Sequence, residues 1–254
     1  MSWVDTGAGF AYYTMPEINN ITPKSGKMDG GQEVYLFAKE GSKFTNITAV
    51  HCKFEQVLEG RANVNHIVYP KVTPAFFINE KTMMCPSLPG FLGGDQAQVS
   101  LTYNGQDYTK TSADTIFTFY SIHGSFPRSG PSSAGDGDVI QINGAGFKVG
   151  GEVICQLNVT RVPAVEVTAT QIKCPMAWPN KDPNVNNGTV KFSAQIEGGW
   201  VEFGDFYYYP QIEVTGMSPK NGPAEGRGII YFYGNKFDDF KGSQIGCKIG
   251  DSVG

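Results

Sequence analysis

Charged residues are few in this sequence, and no part of it concentrates them. They make up 17% of the 254 residues, against ~25% in typical globular domains, and the net charge is -4. Because no run of Lys or Arg offers a positive surface that releases phosphate counterions, nucleic-acid binding is disfavoured. No apolar run approaches the ~18 residues that cross a bilayer. The opening letters MSWVDTGAG lack the basic and apolar regions of a signal peptide.

Long helical patterns are also lacking. No stretch sustains apolar residues at a period of 3.6 together with good helix formers. The chain has instead 32 Gly, 15 Pro and 13% aromatic residues, which is typical of many short strands joined by tight turns. The sequence therefore predicts an all-β fold.

One order of features occurs three times along the chain. A Pro-x-x-Gly turn leads into a Gly-rich turn, a strand-like run, a Gly-x-x-Phe step and a cysteine. The first two copies continue to a Cys-Pro dipeptide and an aromatic strand. The marker residues are Pro23, Phe44, Cys52 and Cys85; Pro127, Phe147, Cys155 and Cys174; and Pro219, Phe237 and Cys247. The copies start about 100 residues apart, which is the size of one β-sandwich.

This order of features resembles the TIG/IPT family of immunoglobulin-like domains. Gly41, Gly144 and Gly234 of the Gly-x-x-Phe steps carry the resemblance together with the Pro-x-x-Gly openings and the Cys…Cys-Pro pairs. Family members stand in tandem in plexin-like and scatter-factor receptors and in fibrocystin-like surface proteins. Others lie in transcription factors or serve as accessory modules of starch-processing enzymes. The resemblance implies tandem immunoglobulin-like β-sandwiches, and it implies the fold more firmly than a function.

The repeat divides the chain into four parts. We expect one complete domain at 18–121, a second at 122–211, and the front half of a third at 212–254. Residues 1–17 resemble the closing strand that begins at Trp200, which indicates the tail of a preceding or partner domain. Two hypotheses explain the half-domains: the chain is a segment of a longer tandem protein, or another subunit supplies the remaining strands. We favour the first.

The cysteines recur at matching points of the repeat. This placement predicts the disulfides Cys52–Cys85 and Cys155–Cys174, although buried reduced thiols are the alternative. Cys247 has no Cys-Pro counterpart in the sequence, so we expect it to bond an absent partner or another chain.

Four Asn-x-Ser/Thr sequons begin at Asn20, Asn46, Asn158 and Asn187. Asn46 and Asn158 lie near what the repeat indicates are corresponding loops, and these two are predicted to carry glycans. Pro23 directly follows the first sequon and lowers its expected use. Paired cysteines together with sequons favour an extracellular or cell-surface location.

No catalytic, cofactor or metal site emerges from the sequence. The three histidines, His51, His66 and His123, have no His or Cys at metal-ligand spacing. The stretch INGAGFKVGG lacks the Gly-x-Gly-x-x-Gly spacing of a dinucleotide loop. We therefore expect a protein that is not an enzyme and needs no cofactor.

Three hypotheses of function follow. The first, which we favour, is an extracellular structural or adhesive array that assembles into a rod or filament. Its partners would be further copies or neighbouring TIG/IPT domains, bound through exposed strand edges. The second is the ligand-binding ectodomain of a plexin-like or fibrocystin-like receptor. The third is an accessory module of a secreted carbohydrate-active enzyme.

Overall fold

The computed structural model describes residues 12–47, 49–58, 67–132, 137–148, 151–176, 188–196, 198–209, 212–237, 246–249 and 252–253. They form strands and one short 3-10 turn, Ala113–Thr115, so the prediction of an all-β fold is confirmed. The chain divides into two compact units, Met1–Ser121 and Ile122–Gly254. The finer division into four parts stays a prediction.

Nine strands, numbered in chain order, begin in the first unit. They are β1 (Ile18–Thr22), β2 (Ser25–Lys27), β3 (Glu33–Ala38), β4 (His51–Gln56), β5 (Lys71–Pro74), β6 (Phe76–Asn79), β7 (Thr82–Pro86), β8 (Gln96–Thr102) and β9 (Ile116–Phe126). One sheet has the order β1-β3-β7-β6. The facing sheet contains β9-β8-β4-β5, and β2 runs parallel to β9.

The core of the first unit lies between these two sheets. Strands β3 and β7 alternate buried and more exposed residues, as expected of sheets with one apolar face. Aromatic rings extend the core: Phe91 stacks on Phe119 with centroids 4.2 Å apart, and Phe117 meets Phe119 edge to face at 5.0 Å. Such pairs stabilise a core beyond the area that they bury.

The long insert between Cys52 and Cys85 moves from one sheet to the other. Its strand β5 pairs with β4, and after Ala75 the chain enters β6, which pairs with β7. The repeat did not predict the register in this region, because none of its marker residues lies between the two cysteines.

The second unit has a corresponding two-sheet arrangement. Its further strands are β10 (Ser129–Pro131), β11 (Val139–Ala145), β12 (Val153–Leu157), β13 (Thr160–Pro163), β14 (Glu166–Val167), β15 (Gln171–Pro175), β16 (Gly188–Ile196) and β17 (Gly199–Tyr209). One sheet has the order β14-β15-β11-β9, and the other has the order β10-β17-β16-β12-β13.

The last described strands form two antiparallel pairs. They are β18 (Glu213–Ser218) with β19 (Tyr231–Asn235), and β20 (Lys248–Ile249) with β21 (Ser252–Val253). Among the described residues neither pair has a further hydrogen-bonded strand. We call the β18–β19 pair the third hairpin.

Leu36 in the β1–β3 pair and Phe232 in the third hairpin hold equivalent positions in the register, but they should differ in their contribution to the free energy of unfolding. Leu36 is fully buried, so Leu36→Ala should lower the free energy of unfolding by about 2–5 kcal/mol. Phe232 is exposed, so Phe232→Ala should change it by less than about 0.5 kcal/mol. Urea titrations followed by circular dichroism measure both. Equal losses for the two variants would contradict the exposed position of Phe232.

Candidate functional site: the third hairpin and Cys247

The structure joins Cys52 to Cys85 and Cys155 to Cys174. In each unit the two cysteines stand on strands of different sheets, with Cα atoms 6.2 Å apart in the first unit and 5.7 Å apart in the second. All four are fully buried. Each pair therefore ties the two sheets of one sandwich together.

The third hairpin has the same register as the β1–β3 pair. Ile21 lies opposite Leu36, two residues before Pro23, and Met217 lies opposite Phe232, two residues before Pro219. In both pairs the register shifts once, between Ile18 and Asn20 in the first and between Val214 and Gly216 in the second. In register the third hairpin therefore corresponds to the β1–β3 pair, which is the leading hairpin of the first unit.

The apolar face of the third hairpin is uncovered. In the first unit the residues of this face are at most 2% exposed: Ile21, Leu36 and Phe44. Their counterparts in the third hairpin are between 38% and 45% exposed: Met217, Phe232 and Phe237. Single exposed apolar residues are ordinary, but residues that share one face of a hairpin mark an interaction surface.

Cys247 precedes a second pair of strands whose register repeats that of β12–β13. Leu157 pairs with Thr160 just after Cys155, and Ile249 pairs with Ser252 just after Cys247. Cys247 thus holds the position of Cys155. It is exposed, and its sulfur forms no disulfide.

An ion pair closes the far end of the third hairpin. Lys236 Nζ donates to Glu213 at 2.7 Å, and this hydrogen bond and the lysine charge lower the pKa of Glu213. Lys39 and Glu17 make a similar contact in the first unit, at 2.8 Å. The sequence repeat did not reveal this feature, because Lys236 stands one residue beyond the position that matches Lys39. Both pairs are solvent-exposed, so each contributes little to stability.

The described sequons lie in different surroundings. Asn46 and Asn158 are exposed, whereas Asn20 lies within β1, and its buried Oδ1 has no hydrogen-bond partner among the described residues. Asn46 precedes β4 and Asn158 follows β12, so the two stand at opposite ends of equivalent strands. They are therefore not in corresponding loops, contrary to the expectation from the repeat. Asn187 lies outside the described residues.

The histidines do not form a cluster in the part of the chain that the structure describes. His51 Nδ1 lies 2.8 Å from the carbonyl oxygen of Ala49, and His66 is outside this part. No group of three or more His, Cys, Asp or Glu side chains there has metal-binding geometry. Among the described residues, no helix is long and apolar enough to cross a membrane.

A shallow groove lies beside the β1–β3 pair. It has a volume of about 710 Å³. Its lining includes Tyr12, Tyr13, Glu17, Lys39 and Lys43. Glu17 and Lys39 bond each other across the hairpin, and Tyr13 packs edge to face on Tyr103 with centroids 4.9 Å apart. Lys43 forms an ion pair with Glu80, and the contacts recorded among the lining residues include no pairing of a nucleophile with a base.

Together these features define an all-β protein built from repeated sandwich units with cross-sheet disulfides. No family model and no curated protein matches the chain. A structure of the plexin A4 full extracellular region, domains 1 to 10, is similar at a TM-score of 0.41 and 16% identity, over 86% of this chain and 18% of that chain. A second plexin A4 structure, with domains 1 to 8, has a TM-score of 0.37 and 16% identity, over 82% and 19%.

A protein of unknown function from Bacteroides thetaiotaomicron is similar at a TM-score of 0.30 and 14% identity, over 77% of this chain and 50% of that chain. The chain thus spans less than a fifth of the plexin A4 chains and half of the bacterial one. What those proteins do is not carried over to this chain.

The disulfide state can be read by peptide mapping without reduction. We expect linked peptides for Cys52–Cys85 and Cys155–Cys174, and immediate alkylation of Cys247, because only Cys247 is exposed. The bonds close loops of 33 and 19 residues and should each stabilise their unit by roughly 3–4 kcal/mol in the chain-entropy model. Alkylation of all five cysteines in the native protein would contradict this pairing.

Glycan occupancy is expected at Asn46 and Asn158 when a eukaryotic host secretes the chain. Asn46→Gln and Asn158→Gln should each remove the mass of one glycan from the intact protein. Asn20→Gln serves as the control and should leave the mass of the glycans unchanged, because Asn20 lies in a paired strand. An intact mass that does not fall on enzymatic deglycosylation would refute the prediction.

Proposed function

We propose that this chain is a non-catalytic extracellular structural or adhesive protein, in which tandem immunoglobulin-like sandwiches are joined to neighbouring modules at the third hairpin. The modules would be 18–121, 122–211 and a third that begins at 212. The observation that carries the proposal is the uncovered apolar face of the third hairpin, whose register matches that of a covered hairpin in the same chain.

Two further features support an extracellular setting. The buried cross-sheet disulfides suit an oxidising compartment. The exposed side chains of Asn46 and Asn158 are accessible to the glycosylation machinery. Glycans at these positions would stand on the first and second units, away in sequence from the proposed joining surface.

The joining surface should make the chain self-associate, because burying apolar side chains is favourable. Sedimentation velocity should be measured on the Cys247→Ser chain, because this variant lacks the free thiol that could join two copies by a disulfide. We expect the sedimentation coefficient to rise with protein concentration, and negative-stain images at high concentration to show end-joined particles.

The double variant Met217→Ser/Phe232→Ser in the same background should remain a monomer. Val165→Ser, which changes an even more exposed apolar residue elsewhere, is the control and should associate like the parent. A parent chain that stays monomeric at every concentration would contradict the proposal, and it is the result that a receptor ectodomain predicts.

A further inference from the structure

The sheet β1-β3-β7-β6 of the first unit has an outer face, which lies on the side away from the core. Val34, Leu36 and Met83 are fully buried on its inner side. Because strand residues alternate between the two sides, Tyr35 and Met84 stand on the outer side. The strand pairing then fixes which other side chains share this side.

The pairing arranges the outer side chains in two rows that run across the strands. The first row crosses all four strands and consists of Thr22, Tyr35, Met84 and Phe76. The second row contains Asn20, Phe37 and Thr82. Since neighbouring strands lie about 4.8 Å apart, the first row is roughly 14 Å long. We call these two rows the outer rows.

The apolar side chains of the outer rows reach solvent. Phe76 is 49% exposed, and Tyr35, Phe37 and Met84 are half-buried. Single exposed apolar residues are ordinary, but neighbouring ones that share a face and have polar groups beside them mark an interaction surface.

The equivalent outer face of the second unit is polar and bonded to itself. Lys173 Nζ lies 2.6 Å from Glu166 Oε2, and Gln171 Nε2 donates to Gln141 Oε1 and to Asn143 Oδ1 at 3.2 Å each. These side chains stand on β11, β14 and β15. Their polar groups are therefore already paired within the unit.

The register matches the two faces position by position, because β7 and β15 both end in the Cys-Pro dipeptide. The matched pairs are Tyr35 with Gln141, Phe37 with Asn143, Met84 with Lys173, and Phe76 with Glu166. The second unit thus forms the same sheet with polar residues at these positions. The fold therefore does not require the aromatic and apolar side chains that the first unit has there.

The polar side chains of the outer rows have open bonding capacity. Within the described residues, Asn20, Thr22 and Thr82 form no side-chain hydrogen bond. Tyr35 is held in place, since its hydroxyl donates to Glu33 Oε2 at 2.6 Å, and this bond raises the pKa of Tyr35. A ligand on this face meets an oriented ring with hydroxyl groups beside it.

We infer that the outer rows are a binding surface for an uncharged polysaccharide chain. A sugar ring carries C–H groups on its faces and hydroxyls around its rim, so it can cover an aromatic ring and bond the neighbouring threonines at the same time. The outer rows contain no charged side chain, which disfavours a charged polymer as the ligand. The length of the first row suits several linked sugar rings better than a single sugar.

A peptide matches this surface less well. The backbone groups of β3 and β7 pair with neighbouring strands on both sides, so the backbone of a peptide lying on the face would find few hydrogen-bond partners. The inference goes beyond the proposed function, because it concerns a surface of the first unit and does not involve the third hairpin.

Affinity electrophoresis in native gels tests the inference. The full chain carries Met217→Ser/Phe232→Ser, which removes the proposed joining surface, and runs in gels with and without dissolved polysaccharide. The neutral probes are mixed-linkage β-glucan, xyloglucan, galactomannan and glycogen, and polygalacturonate is the charged comparison. At least one neutral probe should slow the chain, and polygalacturonate should not. A mobility that no neutral probe changes would overturn the inference.

Variants of the outer rows show whether this face is the binding surface. Tyr35→Ala and Phe76→Ser should each weaken binding at least about tenfold, because aromatic side chains dominate such contacts. Thr82→Val keeps the shape of the side chain and removes its hydroxyl, so it should weaken binding by about fivefold. Gln141→Ala is the matched control at the position equivalent to Tyr35, and it should bind like the parent.

Phe76→Ser separates binding from folding, because this side chain is exposed and its loss should leave the midpoint of thermal unfolding unchanged. A folded Phe76→Ser chain that binds like the parent would reject this face as the site. Undiminished binding by Thr82→Val would show a purely apolar contact, as in a protein interface, and would also reject the polysaccharide. Neither result affects the proposed function, which is tested by sedimentation through the third hairpin.

Discussion

The apolar face of each leading hairpin requires a second layer, and the rest of the molecule depends on how this requirement is met. A two-stranded hairpin is marginally stable by itself in water and gains its stability by packing against other strands. In both units the second layer consists of later strands of the same unit, and one disulfide ties the layers together. The third hairpin has the same register, and the described residues include no second layer over it.

In each unit the disulfide and the burial of the hairpin's apolar face are linked in position. Val34 and Ile140 lie directly opposite the cysteines of their Cys-Pro strands, so each disulfide emerges beside the most buried part of its hairpin. The covalent bond restricts the unfolded chain, and it joins the sheet that contains the hairpin to the facing sheet that covers the apolar face.

Composition and the repeat allowed the all-β fold and the strand after each Gly-rich turn to be predicted, because Pro-x-x-Gly, Gly-x-x-Phe and cysteine recur at matched spacing. The change of sheet at β5 and β6 was not predicted, because no marker residue of the repeat lies between the two cysteines. The second unit makes the same change at β13 and β14, and the extra residues of the first copy lie between β4 and β5. The positions of Asn46 and Asn158 were compared by their distance from Phe44 and Cys155. That comparison was wrong because the two residues flank opposite ends of equivalent strands.

The open edge of the third hairpin also differs from the other sheet edges in its chemistry. Natural edge strands avoid unwanted pairing by being short or by carrying charge and proline. Strand β13 contains Arg161 and Pro163, and β6 has only four residues. In contrast, β19 presents an aromatic run, Tyr231–Tyr233, without a charged residue or a proline. Among the described residues, this edge combines the register of the β1–β3 pair with the absence of the features that protect the other edges, and such an edge is chemically suited to pair with a further strand.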